Sequence, residues 1–200
     1  MNIANPPKVL PLASKYLPIY NFSERHDIEP IKSTSSAILS AVKSYDGQQD
    51  AILNALLKIR EYPARLANKL GLVNALQKKP RFGLHEFTLL EETTSALAYG
   101  LIGRFWRHDF GLVSIVDSTD FQHFNNQNIP KLVMWFSIEP IAEGNYRLCT
   151  ETRILCESKR SRILFMPYWV AIRVASGWIR KRMLEHIKKN AEQAVKVLSD

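Results

Sequence analysis

From Ser158 to Leu198, small and apolar side chains return every three or four residues: Phe165, Tyr168, Ile172, Ser176, Ile179, Met183, Ile187, Ala191, Ala194 and Leu198. A repeat near 3.6 puts them on one stripe of an α-helix, and Arg180, Lys181, Arg182, Lys188 and Lys189 largely take the other positions. A helix of this length and amphipathicity is predicted to lie along one face of a sheet. Pro167 and Gly177 are where it could bend.

The sheet is read from alternation. Asn21 to Ile31 alternates loosely through Phe22, Arg25, Ile28 and Ile31 and contains Pro30, which suits a first strand near a sheet edge. Ser33, Thr34, Ser35 and Ser36 offer N-caps for a helix carrying Ile38, Leu39, Ala41 and Val42, which Asp46-Gly47 ends. A second helix is predicted from about Gln48 to Pro63, followed by a helical or irregular stretch to Pro80. From Phe87 the period changes to two. Phe87 to Trp106 reads as a hairpin turning at Thr93-Thr94-Ser95, with Leu97, Tyr99, Leu101 and Phe105 on one face. Gly100 and Gly103 leave room there for a bulge or a close neighbour. Thr119 and Gln122 have capping-box spacing, predicting a helical turn at Asp120 to Phe124 inside the long Arg107 to Pro130 connection. Leu132, Met134, Phe136 and Ile138 open a second hairpin, turning at Glu143-Gly144-Asn145 into a strand that reaches Ile154.

Two hundred residues, 46% of them apolar, suffice for one core, so a single domain over 1–200 is expected, with 1–18 as an extended arm and about 158–198 as the closing helix. Pro6, Pro7, Pro11 and Pro18 interrupt the N-terminal hydrophobic runs, and no run reaches the roughly 18 apolar residues that cross a bilayer. A cytoplasmic protein with no integral membrane segment is the simplest expectation. Cys149 and Cys156 cannot form a disulfide framework and read as buried thiols on opposite sheet faces. Of the net charge of +8, residues 159–200 hold +7 and residues 1–158 only +1. A basic helix can meet anionic lipid or nucleic acid, but a solvated face is the simpler reading, and nucleic acid is not an expected partner.

The order of strand, two helices, antiparallel strands and one long helix resembles the helix-grip fold of the SRPBCC superfamily, also called START-like or polyketide cyclase-like. The segments LPIYNFSERHDI (17–28), ILNALLKIREYPARL (52–66), FTLLEE (87–92), GLIGRFWR (100–107), TETRILC (150–156) and YWVAIRVASGWIRKRMLEHIK (168–188) look like an uncharacterised bacterial group within it. The resemblance implies an α+β domain, a curved antiparallel sheet wrapped around the C-terminal helix, and a cavity between them that holds a small hydrophobic molecule. It transfers no catalytic residue. The expected cavity positions are Tyr99, Leu101, Arg104, Trp106, Phe136, Thr150, Thr152, Tyr168 and Ile172. Together they offer an apolar pocket with a few hydroxyls and a possible Arg–Trp cap, suited to a lipid-, aromatic- or polyketide-like ligand with one polar handle.

Catalytic signals are sparse. Glu91 and Glu92 fall on opposite faces of their strand, and Glu151 alternates with Arg147 and Arg153, the pattern of a cross-strand ion pair or a solvated face. His26, His85, His108, His123 and His186 have no metal-ligand spacing, and GLIGRFW lacks the phosphate-loop lysine and the dinucleotide fingerprint. No metal and no cofactor is expected. Ligand binding is therefore the leading expectation, ahead of a cyclase-, dehydratase- or hydrolase-type enzyme and of an interaction module built on the basic helix. The sequence specifies no oligomeric state.

Overall fold

A computed structural model describes residues 12–45, 86–107 and 109–199. The helix expected from Gln48, the stretch to Pro80, His85 and His108 lie outside these residues. The elements in chain order are α1 (Leu12–Tyr16), β1 (Phe22–Lys32), α2 (Ser35–Lys43), β2 (Thr88–Glu92), β3 (Ala96–Ile102), α3 (Ser118–His123), β4 (Lys131–Ala142), β5 (Asn145–Leu155) and α4 (Lys159–Ser199). The architecture is α+β. Five antiparallel strands form one sheet in the order β1-β5-β4-β3-β2.

The two hairpins make most of this sheet, and β1 joins it by pairing with β5 along Phe22↔Ile154 to Lys32↔Asn145. That leaves β1 at an edge, where Pro30 forfeits no essential ladder bond. Its alternation is visible in burial: Phe22, Glu24, His26 and Ile28 are partly buried while Ser23, Arg25 and Asp27 are exposed. The β4–β5 turn takes its sharp bend at Gly144, which has φ of +67°.

Both faces of the sheet are covered. On one, the α4 stripe and α2 pack over Leu97, Met134, Phe136, Ile138 and Leu148. Thr34 caps α2 by accepting the Ala37 N–H at 3.2 Å, which lets Ile38, Leu39 and Val42 reach Ile187 and Ala191. On the other face, Tyr16, Leu17 and Phe121 seal Leu90, Ala98, Ile102, Val133 and Trp135. The run Leu132 to Phe136 is apolar at every position because β4 is central and buried on both sides.

Four details correct the sequence reading. The arm expected to be extended to residue 18 contains α1. Its five residues lie between Pro11 and Pro18, free of proline, and buried Tyr16 anchors them. The second strand of the first hairpin ends at Ile102, not Trp106. A Cβ on Gly103 would stand 2.8 Å from the Phe110 carbonyl oxygen, so the chain folds back on itself there, and Val113 bridges to Ile102. The helical turn in the connection exists as α3, but Asp117 caps it, accepting the N–H groups of Thr119 and Asp120 at 2.8 and 2.9 Å. A carboxylate two residues earlier displaces the Thr119 cap and also suits the helix N-terminus. Glu151 is buried rather than solvated, and its partner Arg153, 2.6 Å away, is on the same strand. Arg147 pairs instead with Glu29 and Glu139.

Cys149 and Cys156 are both free and fully buried. Burial pushes the Cys156 thiol up to about 12 from an ordinary value of 9.0. The folded state therefore keeps a proton that the unfolded chain releases above about pH 9, and stability falls as pH rises from there towards 12. Native protein at pH 8 should accordingly react with a thiol reagent far more slowly than unfolded protein. Between pH 9.5 and 11 the Cys156→Ser variant should lose stability less steeply than wild type, by roughly 1 kcal/mol per pH unit. Denaturant titrations at several pH values measure this; equal slopes would reject it.

Candidate functional site

The sheet-facing stripe of α4 is not uniformly apolar. Its first part packs Phe165 and Trp169 against Phe22, Leu101, Phe105 and Ile154. Its later part packs Met183, Leu184, Ile187 and Ala191 against Ile31, Phe136 and Leu148. Between these clusters the helix presents Ser176, Gly177 and Arg180, and the sheet answers with polar residues of its own.

Arg180 reaches the middle of the sheet. Its guanidinium donates to Thr152 Oγ1 at 2.5 Å and Thr150 Oγ1 at 3.2 Å, and lies 3.5 Å from Met134 Sδ. Its Nε is shielded from solvent without a hydrogen-bond partner, and among the described residues no carboxylate oxygen lies within 4.0 Å of the group. Burial holds the Arg180 pKa below its ordinary value, while the charge of Glu24 acts in the opposite sense. An arginine stays cationic through such a shift, so a positive charge sits between helix and sheet on neutral acceptors.

Beside it, on β1, Glu24 and His26 share a face. Glu24 Oε1 meets His26 Nε2 at 2.8 Å, and Glu24 Oε2 accepts the Ser176 hydroxyl at 2.8 Å. The Glu24 side chain is 9% exposed and that of His26 30%, so a shielded carboxylate orients an accessible imidazole. Gly177 of the helix faces this pair: a Cβ there would lie at ordinary contact distance, 3.4 Å from Glu24 Oε1 and 3.5 Å from His26 Cε1. At the same seam a half-open cleft of about 520 Å³ is lined by His26, Asp27 and Ile28 of β1 and by Gly177, Trp178, Lys181, Leu184 and Glu185 of α4. A larger cleft of about 700 Å³ runs between α2 and α4, but among the described residues only serine, threonine, alanine, valine and asparagine line it. The smaller cleft has the chemistry: apolar walls, an oriented imidazole, an ammonium and two carboxylates.

The positions expected to line a cavity are distributed differently. Tyr99 and Phe136 are buried in the later cluster with their rings edge-on, centroids 6.3 Å apart. Leu101 is buried in the earlier cluster, with Trp106, Tyr168 and Ile172 packed against it. Arg104 lies in the turn after β3, its Cβ close to Gly111. Only Thr150 and Thr152 meet the polar belt, and none of the nine lines either cleft. Glu91 and Glu92 hold opposite sheet faces to their helices, pairing with Lys15 and Lys43 at 2.6 Å each. Asp109 binds Arg107 through both oxygens. Among the described residues no group of three or more His, Cys, Asp or Glu side chains could hold a metal, and no helix is long and apolar enough to cross a membrane.

Arg180 was expected on the outward basic face and is instead turned inward. It lies four residues after Ser176 and three before Met183, in line with the buried stripe, a position that the charged side chain disguised. Glu24 and His26 were missed as well. Their two-residue spacing between Phe22 and Ile28 on one strand face was the available signal.

No family model, no curated protein and no solved structure matches this chain.

Proposed function

We propose that this chain is a helix-grip domain of SRPBCC type that binds a small, mainly hydrophobic molecule at the seam between its sheet and C-terminal helix. The observation that carries the reading is the β1–α4 cleft, where Ile28, Trp178 and Leu184 supply apolar wall and His26 a polar handle. The α+β order, with the long helix laid on an antiparallel sheet, agrees with the helix-grip arrangement. Native mass spectrometry of the purified chain against a lipid and aromatic library tests it, with Gly177→Ala alongside. The added methyl has room at ordinary contact distance and removes a helix-interior glycine, so this variant should be more stable by up to about 1 kcal/mol while retaining less ligand. A library with no retained mass, or occupancy indifferent to Gly177→Ala, would reject the reading.

One observation favours a second reading, an enzyme that moves a proton within the same cleft. His26, oriented by the shielded carboxylate of Glu24 and lining the cleft, has the arrangement of a general base. Turnover lost in His26→Gln and Glu24→Gln, with ligand retention intact, would distinguish it from simple binding.

A further inference from the structure

The outward side of the first half of α4 is an unusual surface. From Lys159 to Arg182 there are seven Lys/Arg and no Asp or Glu. With Arg180 turned inward, Lys159, Arg160, Arg162, Arg173, Lys181 and Arg182 are exposed. Among them stand large apolar side chains in water: Ile163 is 68% exposed and Val170 66%, with Leu164, Met166 and Trp178 also open. Ile163 and Val170 are seven residues apart, two helical turns, and lie opposite the buried Phe165 and Trp169 and the partly buried Ile172. Among the described residues none of this stripe belongs to a core cluster, and the helix is held from its other side.

We propose that this face docks on an anionic lipid bilayer. Exposed aliphatic and indole side chains set among guanidinium and ammonium groups match a membrane interface, where the former enter the acyl boundary and the latter meet lipid phosphates. The absence of acidic residues over these 24 positions makes the complementarity one-sided. A second copy of the chain is a poor occupant, because a two-fold contact through this face would set cation against cation with no carboxylate between them. Nucleic acid fits less well too, since the exposed apolar residues are mostly aliphatic and sequence-tolerant binding relies on aromatic stacking. Trp178 and Lys181 belong both to this face and to the lining of the β1–α4 cleft, so the docked helix would bring the cleft to the membrane surface. The face extends no further than Arg182, as Glu185 follows within a turn.

Flotation of the full chain with vesicles tests this. The chain should rise with vesicles of phosphatidylglycerol mixed into phosphatidylcholine, stay down with phosphatidylcholine alone, and be released progressively by salt. Arg160→Gln, Arg162→Gln and Arg173→Gln together should weaken binding roughly a hundredfold. Ile163→Asp with Val170→Asp, both at open positions and so expected to leave the circular dichroism unchanged, should weaken it more than about tenfold. No flotation with anionic vesicles would overturn the proposal, as would binding indifferent to both sets of substitutions.

Discussion

Truncating Phe165 to alanine should lower the unfolding free energy by about 3–5 kcal/mol, among the largest effects open to a single substitution in this chain. Phe165 is 1% exposed, and its ring lies 4.9 Å from that of Phe22, 6.2 Å from Phe105 and 6.0 Å from Trp169. It thereby ties α4 to β1 and to the turn after β3. Removing it deletes apolar contact with all three and leaves a void bounded by large aromatics, which have few rotamers with which to fill it. Two residues earlier, Ile163→Ala should change stability by no more than about 0.5 kcal/mol, because that side chain already stands in water. Urea denaturation of both variants gives the comparison. Equal effects would mean that the helix is rotated from the orientation described.

The second large effect is expected at Glu151. Its carboxylate holds the Arg153 side chain at 2.6 Å and accepts the Trp135 indole N–H at 3.3 Å, on the sheet face away from α4. Both side chains of the ion pair are only 10% exposed. Glu151→Ala would leave a shielded guanidinium with the Ser14 hydroxyl and the Tyr20 ring as its remaining neighbours, together with an orphaned indole N–H. Breaking such a pair costs about 3–5 kcal/mol. The penalty belongs to the unpaired charge more than to the bond itself. The double variant Glu151→Met, Arg153→Met should therefore be more stable than Glu151→Ala alone, which a denaturation cycle over the three proteins would measure. A single-variant loss below about 1 kcal/mol would show that water reaches Arg153.

The hairpins were legible because strand alternation survives wherever one neighbour is close in sequence. β4, β5 and their Gly144 turn fall where the pattern Leu132, Met134, Phe136, Ile138 and the Glu143-Gly144-Asn145 segment place them. The length of α4 was equally plain, since its stripe is written in one continuous segment. Less legible was the second core. Trp135 and Val133 carry the right chemistry, but the groups that bury them, Tyr16, Leu17 and Phe121, come from segments whose own pattern is too short to announce a docking face. The candidate site was harder still. It brings together residues about 150 apart, Glu24 with Ser176, and nothing local marks either as the other's partner.

The sequence alone therefore determined what each segment can be: strands where apolar residues alternate, a long helix where they return at 3.6, buried thiols and a positive charge gathered at the C-terminal end. Tertiary structure alone decided which charges are shielded and which are open. Arg180 and Arg182 are two residues apart on one helix with the same formal charge, yet one lies on Thr150 and Thr152 against the sheet and the other stands on the outward face. Helix geometry separates them by about 200°, and only the placement of the sheet against α4 turns that angle into a difference of environment.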